Sequence, residues 1–216
     1  MGTKGEGNRQ RIVSAADNLF YRNGYNQTSF QDISDATGIP RGNFYYYFKT
    51  KDEILNAVVD SRVAELSTML QQCEAATADA RERLHLFTDM LEFKRDDVLQ
   101  SGCPIGTLSS ELAKAHGAVN DDSASDGLRQ DRSGQELSRP EISRQEKSKQ
   151  VFLLLRDWVQ KQFAALGVDD AADLAMDLLA RMQGVTVMAC AFKDADFMRR
   201  SHREINDWID MKTRNA

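Results

Sequence analysis

The chain has 216 residues, of which 41% are hydrophobic and 28% are charged, and it contains three prolines and three cysteines. This composition is typical of a globular protein that buries a core, and scarce prolines with long unbroken segments favour an all-α fold. No apolar run reaches the roughly 18 residues of a membrane span, and the N-terminus lacks the apolar core of a signal peptide. We therefore expect a cytoplasmic location, reduced cysteines and no membrane partner.

The net charge of −5 is unevenly distributed. Residues 1–51 carry seven basic and four acidic residues, a net charge of +3, and the remaining 21 basic and 29 acidic residues give −8. Because attraction to phosphates is screened over about 10 Å at ordinary salt, the local charge decides whether nucleic acid is bound. A basic N-terminal segment on an acidic body is compatible with DNA binding.

Two helices are predicted at the start of the chain. The first covers residues 10–22, because apolar residues recur with helical spacing on one face: Ile12, Ala15, Ala16, Leu19 and Phe20. Gly24 then suits a left-handed helix end. The second helix has Phe30, Ile33 and Ala36 as its inner face, and Thr28 with Gln31 forms a predicted capping box. Thr28 is therefore a cap, and an additional contact to a DNA phosphate is an open alternative.

The third predicted helix covers residues 41–47, after the Gly38-Ile39-Pro40 turn. This helix has fewer than two turns, so its stability depends on packing. Phe44 and Phe48 are four residues apart, so both are expected to point toward the core. The remaining side chains are expected on or near the exposed side: Arg41, Gly42, Asn43, Tyr45, Tyr46 and Tyr47.

Exposed tyrosines next to basic residues are chemically suited to a DNA major groove. Phenol groups reach phosphates, while the rings pack on sugars or thymine methyls. Arg41 is the candidate for bidentate guanine recognition, although a purely solvated Arg41 is the alternative.

This segment resembles the tetracycline-repressor (TetR) family of bacterial transcriptional regulators over about 55 residues. The resemblance rests on many positions together, among them Leu19-Phe20, Gly24-Tyr25, Thr28-Ser29, Gly38-Ile39, Asn43-Phe44-Tyr45, Tyr47-Phe48 and Lys51. It implies base contacts from Arg41, Gly42 and Tyr45, and backbone contacts from Thr28, Asn43, Tyr46, Tyr47 and Lys51. It also implies double-stranded operator DNA as the partner. Tyr47 departs from the pattern, since histidine is common at that position.

The C-terminal body, residues 52–216, is predicted to be helical. A long fourth helix extends to about Cys73, another covers residues 80–100, and a short one covers residues 105–115 after a break at Ser101-Gly102-Cys103-Pro104. Residues 117–148 contain few large apolar side chains, which predicts a mobile loop with a possible helical start near its end. An interaction role for this loop has no support in its residues.

Three further helices are predicted at residues 149–166, from an Asp169 cap to about Phe192, and at residues 196–212. The second of them is apolar nearly all round, and Gly184 in its middle suggests the close approach of another backbone or a ligand. The last two helices are predicted to carry apolar surface on more than one side, which is hard to bury in a monomer. We therefore expect a homodimer through a four-helix interface, as the family resemblance also implies.

The family resemblance implies an inducer pocket in the body, for a small molecule that the resemblance does not identify. The candidate lining residues are apolar and aromatic: Phe87, Met90, Leu91, Phe93, Leu108, Phe152, Leu155, Trp158, Met182 and Thr186. Each of them could equally be ordinary core. No pair of histidines has metal-ligand spacing, so neither a metal nor another cofactor is expected.

Cys103 stands at the N-terminal end of a predicted helix, where the dipole and free N–H groups favour a thiolate. The segment SGCPIGTLSSEL is similar to the subgroup that includes the N-ethylmaleimide reductase repressor, whose members sense electrophiles or oxidants through a cysteine. Thiol sensing and a small buried structural residue are the two interpretations of Cys103. Cys73 and Cys190 lie on apolar helix faces and are interpreted as packing residues.

Three functions are compatible with these features. The first is a dimeric repressor, with a helix-turn-helix domain in residues 1–51, that leaves its operator when a small molecule binds or a thiol is modified. The second is a nucleoid-associated or cell-division adaptor that combines the same DNA-binding domain with a protein partner. An enzyme is the third, but the sequence shows no nucleophile–base pair, glycine-rich phosphate loop or paired carboxylates in a suitable setting.

Overall fold

A computed structural model describes residues 3–114 and 144–214 of the chain, and these residues form helices without any strand. The predicted all-α fold is therefore confirmed. In chain order the helices are α1 (Thr3–Asn23), α2 (Phe30–Thr37), α3 (Arg41–Tyr47), α4 (Lys51–Ala76), α5 (Ala80–Thr88), α6 (Met90–Phe93), α7 (Arg95–Ser101), α8 (Pro104–Lys114), α9 (Arg144–Ala165), α10 (Ala171–Phe192) and α11 (Ala195–Lys212). Helices α1–α3 and the start of α4 form an N-terminal unit, called the head below.

Helix α1 begins seven residues before its predicted start at residue 10. The added turns contact α3 and the residue that follows it. The Asn8 amide donates a hydrogen bond to the Tyr47 hydroxyl at 3.2 Å, and the Arg9 guanidinium lies 5.0 Å from the centre of the Phe48 ring. These contacts lie outside the apolar stripe from which the start was predicted, so the pattern could not show them.

Helix α2 is capped by Ser29 and not by Thr28, so the predicted capping box was wrong by one residue. The Asp32 backbone N–H donates to the Ser29 hydroxyl, and the Ser29 N–H donates to the Asp32 carboxylate at 2.7 Å. The bond from the Ser29 N–H, together with one that the Ser29 hydroxyl donates to the same carboxylate at 2.8 Å, lowers the pKa of Asp32, which supports a charged carboxylate at the positive end of the helix. One residue of the predicted inner face, Ala36, is exposed.

Helix α3 has the predicted bounds, and its two phenylalanines are buried as expected. Phe44 is fully buried and packs edge-on against Phe30, with 5.7 Å between the ring centres. Phe48 and Ile33 lie in the same core. A helix of seven residues is unstable alone, so this core is what maintains α3.

Helix α4 leaves the head and continues into the body, where it packs against α9 and α5 as well as α1. Thr50 caps its start by accepting a hydrogen bond from the Glu53 N–H. Its buried side chains form one stripe: Ile54, Leu55, Ala57, Val58, Val59, Arg62, Leu70 and Cys73. The predicted long connecting helix is confirmed, and Cys73 packs in the core as predicted.

The single helix predicted for residues 80–100 is instead three short helices, α5, α6 and α7. Asp89 ends α5, and the neighbouring Thr88 hydroxyl donates a hydrogen bond to the Asn206 side chain of α11 at 2.6 Å. Lys94 leaves helical geometry at ψ 11°, between α6 and α7. Neither break contains glycine or proline, which is why the sequence did not signal them.

Residues 115–143 lie outside the described part of the chain, and with them most of the loop predicted for residues 117–148. The last five residues of that prediction, 144–148, belong to α9, which therefore begins earlier than expected. Lys147 explains part of this extension, because its buried ammonium pairs with the Asp60 carboxylate of α4 at 2.8 Å.

The predicted cap of α10 is also corrected: Asp170 occupies the N-cap position and Asp169 does not, and the Asp170 side chain makes no capping bond. Gly184 was expected to mark a close approach, but a Cβ atom there would meet no atom of the described chain within 4 Å. α10 has an exposed apolar face formed by Met176, Val187, Met188 and Phe192.

Helix α11 differs from the prediction that it presents apolar surface on more than one side. Its large residues Ile205, Trp208 and Ile209 are buried within this chain. Charged residues dominate its exposed face: Asp196, Arg199, Arg200, Arg203, Glu204, Asp207 and Lys212. Of α10 and α11, therefore, α10 has most of the apolar surface that this chain leaves exposed.

By length and composition, α10 could cross a membrane, contrary to the expectation that no segment is apolar enough. It packs, however, against α7, α9 and α11, and nine of its residues are buried within the chain. This is the environment of a core helix, and an apolar helix of this kind in a folded protein is weak support for a membrane span.

Candidate DNA-binding face and ligand cavity

Helix α3 presents polar and aromatic side chains to solvent. Asn43 is exposed, Tyr46 is 72% exposed, and Tyr45 is 42% exposed and stacked on Phe30 with 5.8 Å between ring centres. Gly42 is exposed beside them, and Arg41 is the first residue of the helix. The exposed hydrogen-bonding tips of Asn43, Tyr45 and Tyr46 suit contacts to phosphates and base edges.

Two predicted DNA-contacting residues are less exposed than the prediction requires. Thr28 is 1% exposed, and its hydroxyl donates to the Gly24 carbonyl at 2.7 Å, so this side chain stabilises the turn before α2. Tyr47 is half-buried, with its hydroxyl bound by Asn8. The geometry favours Ser29, the exposed cap of α2, over Thr28 as a phosphate contact at this helix end. The spacing of Ser29 and Asp32 was the signal that the sequence analysis missed.

Lys51, also predicted to contact the DNA backbone, is half-buried and bound within the head. Its ammonium donates to the carbonyls of Tyr25 at 3.0 Å and Thr28 at 3.1 Å, and it lies 4.2 Å from the centre of the Tyr25 ring. Lys51 therefore positions the turn that precedes α2, and any phosphate contact would share the same ammonium.

A cavity of about 470 Å³ lies in the body, directly beneath α1. This volume is within the range of sites that bind small molecules. Its walls come from α1 and from all helices between α4 and α10, and most of the lining area is apolar. Such a cavity could enclose a small, largely apolar molecule.

The predicted pocket residues divide into two groups. Phe87, Met90, Leu91, Phe93, Leu155, Met182 and Thr186 line the cavity. Leu108, Phe152 and Trp158 do not: Leu108 and Trp158 are buried elsewhere in the core, and Phe152 is half-buried. Helical periodicity identified the apolar stretches correctly but could not show which face of each helix borders the space.

Comparison with known proteins agrees with this architecture. Residues 12–58 match the family described as bacterial regulatory proteins, tetR family. An uncharacterised HTH-type transcriptional regulator of Mycobacterium tuberculosis is 26% identical over 211 residues, which cover 94% of this chain and 95% of that protein. A similar regulator of Lactococcus lactis is 35% identical over 111 residues; these cover 49% of this chain and 55% of that protein, so the match spans about half of the relative's length.

The fold is also shared with solved structures. A TetR transcriptional regulator from Chloroflexus aurantiacus superposes with a TM-score of 0.75 at 20% identity, covering 98% of both chains. The reduced form of NemR from E. coli superposes with a TM-score of 0.70 at 14% identity, covering 93% of this chain and 96% of that chain.

Residues 12–58 are a TetR-family N-terminal domain. The family and the relatives that the chain matches are transcriptional regulators and not enzymes. The matched residues begin in α1, include the whole of α2 and α3, and end in the first turns of α4.

Polar residues at one end of the cavity were not predicted from the sequence. The Arg62 side chain is buried; its guanidinium pairs with the Asp17 carboxylate of α1 at 2.6 Å and donates to the Pro104 carbonyl. The Tyr21 hydroxyl lies within hydrogen-bond distance of the carbonyls of Asp97, at 2.8 Å, and Gly102, at 2.7 Å. Tyr21 and Arg62 thus connect the head to the segments on either side of Cys103.

The stability of the regulator is expected to depend on Tyr21 at alkaline pH. Burial, followed by the Asp97 carboxylate, raises the pKa of Tyr21 from 10.0 to about 12. Because the folded pKa is the higher one, this contribution to stability is complete below pH 10 and is lost as the pH rises toward 12. Between pH 9 and 12, the free energy of unfolding measured with denaturant should therefore fall less steeply with pH in Tyr21→Phe than in the parent, by a slope equivalent to up to one proton. Equal slopes in the two proteins would contradict this role of Tyr21.

Cys103 is buried and lies at the start of α8, where it lines the cavity. Its sulfur accepts hydrogen bonds from the Gly106 N–H and the Gln183 amide, both at 3.4 Å. This environment supports a structural role, and it also places Cys103 in the wall of the cavity. Cys190 is half-buried near the Lys193 ammonium, at 3.7 Å, so it is less completely packed than predicted. Among the described residues, no cluster of histidine, cysteine or carboxylates could hold a metal ion.

Proposed function

We propose that this regulator is a homodimeric repressor that is released from operator DNA by a small molecule bound in the cavity. The observation that carries the proposal is the exposed surface of α3, with Asn43, Tyr45 and Tyr46 in solvent while Phe44 anchors the helix. The mainly apolar cavity beneath the head supports the small-molecule part of the proposal. Modification of Cys103 is a second route to release, because the thiol faces the same space.

The dimer is supported by the uncovered apolar face of α10. Met176, Val187, Met188 and Phe192 are between 45% and 72% exposed, which is costly for a helix that remains in solvent. Gly184 lies on the same helix with open space above it, so a second helix could approach closely there. We propose that α10 and α11 of two subunits form a four-helix interface, apolar along α10 and charged along α11.

The experiment that tests the proposal uses a duplex selected by the parent protein from a random library. A dimer that inserts two α3 helices into successive major grooves should select half-sites about 34–36 Å apart. Arg41→Ala or Tyr45→Ala should weaken binding to this duplex by about 1–3 kcal/mol with nearly unchanged melting temperature. Lys51→Ala should weaken binding to all sequences and reduce the salt dependence, together with some loss of head stability.

Glu204→Ala is the matched control, since Glu204 is exposed on α11. The proposal is wrong if no sequence is selected over random DNA, or if the three head variants bind both selected and random duplexes as the parent does.

A further inference from the structure

The charges that border the cavity are balanced. Three basic and three acidic residues line it: Arg22, Arg62, Lys94, Asp17, Glu65 and Asp97. Arg62 and Asp17 form an ion pair with each other at 2.6 Å, and the other four residues are exposed to solvent. An ion that entered the cavity would therefore meet no excess of the opposite charge.

Polar groups in the buried wall also have partners within the chain. The Thr186 hydroxyl donates to the Gln183 carbonyl at 2.9 Å, and the Gln183 side chain donates to a cysteine sulfur at 3.4 Å. Among the described residues, the buried side-chain atoms that lack a hydrogen bond belong to Arg81, His85 and Glu92, none of which lines the cavity. Because burying a charge without a partner is costly, this wall disfavours an ionic ligand.

Methionine and aromatic side chains contribute to the apolar wall. Met69, Met90 and Met182 come from three different helices, and Phe93 lies at the opening with 86% of its surface exposed. Thioether sulfurs make favourable contacts with the edges of aromatic rings, and the unbranched methionine side chain adapts to the outline of a bound molecule. An aromatic ring at the opening can also pack against a ring of the ligand. The wall is thus suited to aromatic molecules.

We propose that the cavity binds uncharged bicyclic or tricyclic aromatic molecules, and that the Asp17–Arg62 pair determines this specificity by leaving no unpaired charge in the buried wall. A volume of about 470 Å³ accommodates molecules of this size. Either member of the pair, without the other, would turn the cavity into a site for an ion of opposite charge. The inference rests on the proposed function, since it specifies the class of molecule that would release the regulator from DNA.

The test measures the affinity of matched probes for the full-length protein by titration calorimetry, without DNA. The probes share a naphthalene ring system: naphthalene-2-methanol is neutral, naphthalene-2-carboxylate is an anion and naphthalene-2-methylammonium is a cation. The alcohol should bind roughly tenfold or more tightly than either ion, because each ion loses hydration without gaining a partner. The saturated analogue of the alcohol, decahydronaphthalene-2-methanol, should bind roughly threefold or more weakly than the alcohol, because it lacks the contacts between sulfur and an aromatic ring.

Substitution of either member of the ion pair should change which ion is accepted. Asp17→Ala leaves the Arg62 guanidinium without its carboxylate and should tighten binding of the naphthalene carboxylate by roughly tenfold or more, with little change for the alcohol. Arg62→Met leaves the Asp17 carboxylate unpaired and should favour the naphthalene methylammonium in the same way. Glu204→Ala is the matched control, because it removes an exposed carboxylate of α11 that does not line the cavity.

Several results of these titrations would overturn the proposal. They are no binding of the alcohol to the parent, equal or tighter binding of a charged probe or of the saturated alcohol, and unchanged selectivity among the probes in the folded variants. Arg62→Met decides the last point by itself if Asp17→Ala does not fold. Failure of the repressor proposal would show separately, as absent sequence selectivity when the parent selects DNA, since the probe affinities are measured without DNA.

Discussion

Phe44→Ala is expected to lower the free energy of unfolding of the head by about 3–5 kcal/mol, the usual cost of removing a buried aromatic ring. Phe44 is 0% exposed and fills the space between Phe30 and the remainder of the head core. Because α3 has only seven residues, it cannot remain helical without this anchor. Operator binding should therefore be lost together with the fold of the head.

Urea unfolding followed by tyrosine fluorescence would measure this loss, since Tyr45, Tyr46 and Tyr47 lie next to the substituted residue. Tyr46→Ala is the matched control: it removes an aromatic ring two positions away that is 72% exposed, and should change stability by no more than about 0.5 kcal/mol. If the two variants were equally stable, the assignment of Phe44 as the anchor of α3 would fail.

The second large effect is expected for Asp17→Ala. The Arg62 side chain is only 8% exposed, so removing its carboxylate partner leaves a buried guanidinium with the Pro104 carbonyl as its remaining described partner. Stranding a buried charge typically costs about 3–5 kcal/mol, and the retained carbonyl contact should reduce this to about 2–4 kcal/mol. The reverse substitution, Arg62→Met, should cost less, because the Asp17 side chain is 38% exposed and can be solvated.

The decisive measurement is the difference in stability loss between Asp17→Ala and Arg62→Met. Thermal unfolding of both, with Asp96→Ala as a control for an exposed ion pair, would test it; Asp96 is 91% exposed and should contribute little. A larger loss in Arg62→Met than in Asp17→Ala would contradict the view that burial of the guanidinium dominates this site.

The sequence predicted the head well because its signals are local. The spacing of Phe44 and Phe48, the Gly38-Ile39-Pro40 turn and the left-handed Gly24 all depend on neighbours within a few residues, and each agrees with the structure. The capping box was misplaced by one residue because Thr28 and Ser29 are both chemically able to cap a helix.

The cavity was predictable only in part, because its polar end is assembled from distant segments. Asp17 and Arg62 are separated by 45 positions, and Tyr21 and Gly102 by 81. Neither pair has a local pattern, and an arginine in an amphipathic helix normally indicates a solvated face. The division of residues 80–100 into three helices was missed for the same reason, since Asn206 of α11 binds Thr88 at the first break.

The ammonium of Lys51 ties the first turn of α4 to the segment just before α2. Helix α3 thus lies within a segment whose two ends are joined by the hydrogen bonds of Lys51 to the carbonyls of Tyr25 and Thr28. Such a segment resists internal deformation, so α3 would move together with the rest of the head as one rigid unit. In the proposed dimer, the affinity for DNA would then depend on the tilt of the two heads relative to each other, while the exposed surface of α3 keeps its shape.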